Sequence, residues 1–175
     1  MAVPVSIDDA RRQLRYEPDD DVDDTHLFEL IGRAVAWAEE HTGHIIEARD
    51  VTERFDGAGR LNLRAWPIKA SAVPVVTYEV NGAAVALPGR LVVTSRHARV
   101  LPWIGAPWPR VAASAPISVT IRAGYEPQDV IPGNLRSAIL IMLTAFDEDR
   151  EGGDLFAKAE TTARGLCRGL RSRSL

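Results

Sequence analysis

Apolar and polar positions follow two rhythms along this chain, helical towards both ends and strand-like between them. Near the start, Ser6 followed three residues later by Asp9 has the form of a capping box, with Ile7, Ala10 and Leu14 as an apolar stripe behind it. This predicts a short helix over 6–15, ended at Tyr16-Glu17-Pro18 because the residue before a proline is pushed out of the helical region. A run of six residues with five carboxylates, Asp19 to Asp24, precedes a long helix over 24–42 that Asp24 or Thr25 can cap. Within it Leu27, Leu30, Ile31, Ala34, Val35 and Ala38 recur at helical spacing and form one continuous buried face. Thr42-Gly43 then supplies a left-handed stop.

The stretch 45–125 reads as β-rich. Ile45 to Phe55 is rich in β-branched residues, and Leu61 to Leu63 is a short strand after the turn at Asp56 to Gly59. Val75 to Val80, Asn81-Gly82 and Ala83 to Leu87 predict a hairpin with a type I′ turn. Leu91 to Thr94 and Ile117 to Arg122 are further strands, and Pro102, Pro107, Pro109 and Pro116 are expected to forbid regular structure between them. From Pro132, the residues Leu135, Ala138, Ile139, Met142, Leu143 and Phe146 restore helical spacing and predict a helix over 132–150. Leu140 and Ile141 add apolar bulk off that stripe, an excess that a neighbouring subunit could cover.

The segment 154–175 is less regular. Leu155, Lys158, Ala159 and Thr162 mark one helical row and Leu166 and Leu170 continue an apolar spacing, while Gly165 and Gly169 weaken a helix by about 1 kcal/mol each relative to alanine. The expectation is an adaptor-like domain over 1–153 and a basic C-terminal segment over 154–175 that is mobile from about Gly165 and orders on a partner. The fold class is α+β, mainly helical, with a small antiparallel middle and one long buried helix.

The order of these pieces resembles a known family. "S-x-x-D-A-x-x-x-L-R" from Ser6, the Asp-rich loop and "L-x-x-L-I-x-x-A-x-x-W-A-E-x-x-T-G" ending at Gly43 open it. "Y-x-V-N-G" at Tyr78 to Gly82, the segment Leu101-Pro102-Trp103 to Trp108-Pro109, "V-T-I-R-A-G-Y" at Val119 to Tyr125 and "V-I-P-G-N-L-R-S-A-I-L" at Val130 to Leu140 continue it. Together, over residues 5 to about 150, they resemble the head-tail connector proteins, also called adaptor or head-completion proteins, of long-tailed bacteriophages, prophages and gene transfer agents. The resemblance implies a structural virion protein without an enzymatic mechanism or cofactor, found in the neck of the particle and in the host cytoplasm during assembly. It implies a homo-oligomeric ring, twelve-fold in the particle, that docks on the portal protein, extends the channel for double-stranded DNA and meets the next neck or tail-completion protein. Adaptors of this kind are thought to engage the portal through their C-terminal region, which nominates Arg164, Leu166, Arg168, Leu170, Arg171 and Arg173 as portal-binding residues. A basic tail running past the last helix departs from many relatives.

Composition narrows the alternatives. A chain of 175 residues, 46% apolar, is the size of one ordinary domain that buries roughly 70% of its unfolded surface. The longest apolar run falls far short of the roughly 18 residues of a membrane span, and no basic-then-apolar leader precedes Ser6, so neither a membrane nor export by a cleaved signal is expected. The single cysteine, Cys167, excludes an intramolecular disulfide and reads as inert on a helix face. The net charge of −3 conceals an asymmetry: residues 1–56 hold fifteen acids against six arginines, whereas the last dozen residues hold four arginines and no acid. Opposite charge at the two ends would suit subunits joined head to tail; the plainer reading is that both ends are solvated.

Candidate chemistry is sparse. The acidic loop lacks the glycine and closing glutamate of a calcium site, and reads as a solvated charge run. A metal-dependent nuclease or phosphoesterase using that loop with His26 or His41 is the alternative from another class, weakened because its carboxylates sit on a loop and not on rigid elements. His41 and His44 straddle Gly43, make a poor zinc pair and read as surface histidines. Trp37 and Trp66 read as core. Trp103 and Trp108, amid prolines, read either as interface anchors or as satellite core, and Asp20, Asp21 and Asp23 as a second candidate contact of the ring or neck. Another neck component, a stopper or tail-completion protein, remains the alternative within the same particle.

Overall fold

The computed structural model describes residues 5–17, 24–57, 59, 61–80, 82–95, 97–108, 116–149 and 151–171. Among them the chain is α+β, in two compact units: residues 1–47 with 125–171, which are helical, and residues 48–124, which are β.

The helical unit contains α1 (Ile7–Leu14), α2 (Asp24–Thr42), α3 (Gly133–Glu148) and α4 (Asp154–Cys167). The capping box of α1 is as expected: Ser6 Oγ accepts from Asp9 N–H at 3.1 Å, and Asp9 Oδ2 accepts from Ser6 N–H at 3.2 Å. The helix ends where 6–15 predicts, with its C-cap at Arg15 in the left-handed region and Tyr16 N–H returning to Arg11 O. Asp9 also receives Arg136 of α3 at 2.8 Å and Arg12 at 2.6 Å. The Arg136 hydrogen bond is the main reason its carboxyl is held down at about 2. Helix α2 stops at Gly43, whose φ of 73° suits glycine and whose N–H bonds to Glu39 O.

The core of this unit is Leu27, Leu30, Ala34 and Ala38 of α2 against Leu135, Ala138, Ile139, Met142 and Leu143 of α3, closed by Ala163 and Cys167 of α4. Each fully buried leucine in it contributes about 1.5–3 kcal/mol, and the alanines let the helix axes approach. Off the apolar stripe of α3, Leu140 and Ile141 pack, partly buried, against this same core, as does Phe146 of the stripe, whose ring lies 5.4 Å from that of Phe156 on α4.

The C-terminal segment differs from expectation. Its apolar row is Phe156, Ala159, Ala163, Leu166, Cys167 and Leu170, one stripe at helical spacing, while Leu155, Lys158 and Thr162 of the expected row are exposed. Gly153 at the N-cap offers no side chain, and the Asp149 carboxylate takes its place, accepting from Gly153 N–H and Phe156 N–H. Tertiary burial offsets the weak intrinsic propensity, and residues 154–171 group with the helical unit.

The β unit has two antiparallel sheets. One runs in the order β1 (Arg49–Asp56), β7 (Pro116–Ala123), β3 (Val75–Val80), β4 (Ala83–Leu87); the other in the order β2 (Leu61–Leu63), β6 (Ala98–Pro102), β5 (Gly89–Val93). Strand alternation buries Ile117, Val119, Ile121 and Ala123 of β7 on one face. The hairpin is as expected, with Val80 opposite Ala83 across two residues and Gly82 at φ 79°; Asn81 lies outside the described residues. Strand β6 departs from the expectation that Pro102 forbids regular structure. Pro102 is its last residue, opposite Gly89, and Pro116 is the first residue of β7, opposite Asp56. A missing N–H is tolerated at a strand end. With seven strands beside four helices among the described residues, the mainly helical expectation gives way to a more even balance.

Candidate functional site

The exposed arginines of the C-terminal segment define the strongest candidate surface. Because Ala163, Cys167 and Leu170 face inward, helical spacing turns Arg164 and Arg168 outward, and Arg171 follows them into solvent. Arg164 and Arg171 line a cleft of about 250 Å³ together with Trp37, Glu40, His41 and Glu160. Trp37 Nε1 donates to Glu160 Oε1 at 3.2 Å, and Arg164 Nη2 donates to the same oxygen at 2.8 Å. These bonds, the indole first, hold the Glu160 carboxyl below its usual range. His41 stacks on Trp37 with ring centroids 5.2 Å apart and planes within 8°. Burial pushes the His41 imidazole below its ordinary pKa, and the charges of Arg171 and Arg164 push it further, against Glu160. The lining balances two arginines against two glutamates beside the aromatic wall of Trp37, and Arg164 is already paired with Glu160. Its titratable groups are not arranged as a nucleophile and base.

His44 is not the surface residue expected. It is 3% exposed and bridges Tyr125 Oη at 2.8 Å and Leu170 O at 2.9 Å. A carbonyl only accepts, so Nε2 carries the proton and the neutral Nδ1 accepts from the tyrosine hydroxyl. Burial lowers the His44 pKa against the opposing pull of the Leu170 carbonyl, and pushes Tyr125 up to about 12 with help from Asp129. This is a structural staple closed on both ring nitrogens.

The other expected site residues divide. Asp20, Asp21, Asp23 and Arg173 lie outside the described residues. Leu166 and Leu170 pack, partly buried, against the core. Trp103 is 57% exposed at a turn with Ile104 at 87%, whereas Trp108 is half-buried and donates Nε1 to Pro88 O at 2.8 Å. Both belong to the β unit. Among the described residues no three His, Cys, Asp or Glu side chains gather as metal ligands. His26 lies 3.5 Å from Asp147. From sequence Trp37 reads as core and His41 as a surface histidine, and Glu160 is not singled out, although Trp37–His41 and Glu160–Arg164 are both i, i+4 pairs. Sequence reasoning also divided charge by chain half. By unit the contrast is sharper: residues 1–47 and 125–171 hold 20 acids against 10 Lys and Arg, and residues 48–124 hold 10 Lys and Arg against 4 acids.

No family model and no curated protein matches the sequence. Solved structures do match it. A chain from the virion of the native gene transfer agent particle aligns with TM-score 0.74 and 19% identity, covering 99% of this chain and 92% of that one. A chain from the neck of the empty particle computed with C6 symmetry aligns at 0.71 and 20%, covering 100% and 94%. A chain from the neck of the native particle computed with C12 symmetry aligns at 0.66 and 18%, covering 99% and 91%. The chain therefore has the fold of chains in that particle.

Proposed function

We propose that this protein is a structural component of the neck of a phage-like particle: a head-tail connector subunit that forms a ring on the portal, extends the DNA channel and presents its far face to the next neck component. The observation that carries the reading is the likeness to neck chains of the gene transfer agent particle over essentially the whole length of both chains. It agrees with the order of motifs that links the sequence to connector proteins. Ring formation is in keeping with the C6 and C12 symmetry of those necks.

The work of such a protein is interface burial and charge matching, without catalysis. Arg164, Arg168 and Arg171 would meet acidic residues on the portal through charge-assisted hydrogen bonds. Trp103, held out on its turn, fits an aromatic anchor for a subunit or neck contact. Cryo-electron microscopy of the protein mixed with the portal of its own particle tests the reading. A ring seated on the portal with α4 at the contact is the expected result. Density only at the opposite end of the neck would make it a stopper or tail-completion protein, and no association with the portal would reject the connector role.

A further inference from the structure

The three-stranded sheet of the β unit carries a second charged surface. Leu61, Leu63, Ala98 and Val100 of β2 and β6 are buried. Strand alternation places Arg90, Val92, Arg99 and Leu101 on the opposite face, because Arg90 pairs with Leu101 and Val92 pairs with Arg99. The two arginines therefore occupy diagonal positions on neighbouring strands of one face. Both are half-buried, and the Nε of each is shut off from solvent without a hydrogen-bond partner. Among the described residues no acid forms an ion pair with either.

Two uncompensated guanidinium groups on one rigid face repel each other, and their desolvated N–H groups go unreturned. An anionic surface laid across the face offsets that repulsion. Val92 and Leu101 make the face partly apolar, which suits protein carboxylates more than a solvated phosphate backbone; arginine is enriched in protein interfaces because it offers a planar fork above an apolar stem. This chain itself supplies an excess of carboxylates, since the helical unit has twice as many acids as bases and the β unit has the reverse excess.

We propose that the outer face of the β2-β6-β5 sheet, anchored by Arg90 and Arg99, docks on the acidic helical unit of a second copy of this chain. The two patches differ, so the contact is heterologous and repeats from subunit to subunit until a ring closes. The inference rests on the ring reading above and assigns it a face and a charge basis.

Sedimentation velocity of the full chain tests it. The wild type should self-associate reversibly at about 50 mM salt and lose at least about tenfold in association constant at about 500 mM. Arg90→Glu with Arg99→Glu should be monomeric at both, with an unchanged far-ultraviolet spectrum; Arg90→Gln with Arg99→Gln guards against misfolding and should also be monomeric. Arg90→Lys with Arg99→Lys should still associate in a salt-sensitive way. Wild-type protein that stays monomeric at low salt, or reversed protein that associates like wild type, overturns the proposal. So does binding of a duplex oligonucleotide that the reversal removes while self-association is untouched, since the face would then serve nucleic acid. Portal binding is measured in parallel. Its absence beside salt-sensitive association rejects the connector reading alone, and its presence beside a monomeric wild type rejects this inference alone.

Discussion

The Leu170 carbonyl oxygen accepts a hydrogen bond from His44 Nε2 at 2.9 Å, across 126 residues of sequence. The bond ties the chain just beyond α4 to the end of α2, and the same imidazole holds Tyr125, whose backbone pairs with Glu47. Two crossings of the chain and its C-terminal segment thus meet at one ring.

His44→Phe should keep the ring volume and strand both partners, lowering stability by about 1–3 kcal/mol in urea titration. The pH dependence follows from the depressed pKa values of His44 and His41, which set the sign. The folded state binds fewer protons than the unfolded chain, so the stability these groups contribute is complete above the unfolded value of 6.5 and is lost as pH falls through the lower folded value. The wild-type melting temperature should drop between about pH 7.5 and pH 5, and His44→Phe should flatten that slope. A slope identical in the two proteins would assign the effect elsewhere.

The C-terminal segment separates stability from docking. Deleting Gly165 to Leu175 removes Cys167, which is fully buried, with Leu166 and Leu170 that pack on the core, and should cost several kcal/mol on the scale of large core truncations. Arg168 and Arg171 are exposed, so their replacement by glutamate should leave stability within about 0.5 kcal/mol while weakening portal binding. Calorimetry paired with portal pull-down reads both. Equal melting temperatures for the truncated and full chains would return the segment to the status of a loose tail.

What the sequence conveyed, and what it did not, follows from the kind of signal each element gives. Helix α2 and the β3–β4 hairpin were legible because each has both a clean period and a chemical stop, Gly43 in one case and Gly82 in the other. Helix α4 was misread because its buried row is built largely of Ala159, Ala163 and Cys167, residues too small to dominate a hydropathy pattern. Leu155, the large apolar residue that sets the other phase, is 58% exposed. Strand β6 was missed because proline was weighed without regard to position. The arginine cleft was half visible: Arg164 and Arg171 were nominated, but Trp37 and His41 come from α2, and only tertiary packing brings them to Glu160. Arg90 and Arg99 carried no local signal, since their relationship is one of strand register.

The acidic run offers a test between a charged surface and a metal site. Replacing Asp20, Asp21 and Asp23 by asparagine should change folding stability by no more than about 0.5 kcal/mol, as for surface positions away from special features. Calorimetric titration with magnesium, manganese and zinc ions should give no saturable heat. A micromolar site lost in the triple variant would revive the nuclease alternative.

Gly89 sets how closely strand β5 can approach its neighbours in the β unit. A Cβ built there would lie 2.8 Å from Val76 Cγ2 on β3 and 3.0 Å from Val100 Cγ1 on β6, inside ordinary contact distance on two sides. Both neighbours are buried valines, whose branched side chains have little rotamer freedom with which to give way. Gly89→Ala should therefore destabilise by about 1–3 kcal/mol, the usual cost of overpacking. The second arm removes the obstruction. Val76→Ala alone loses buried methyl groups and is destabilising, yet combined with Gly89→Ala it vacates the space the new methyl needs. The double variant should be more stable than the sum of the single losses, with a coupling of about 0.5 kcal/mol or more, as expected for residues in direct contact. Strict additivity in urea titrations of the four proteins would mean that the strands shift apart to admit the methyl, and that Gly89 is not the point that fixes their spacing.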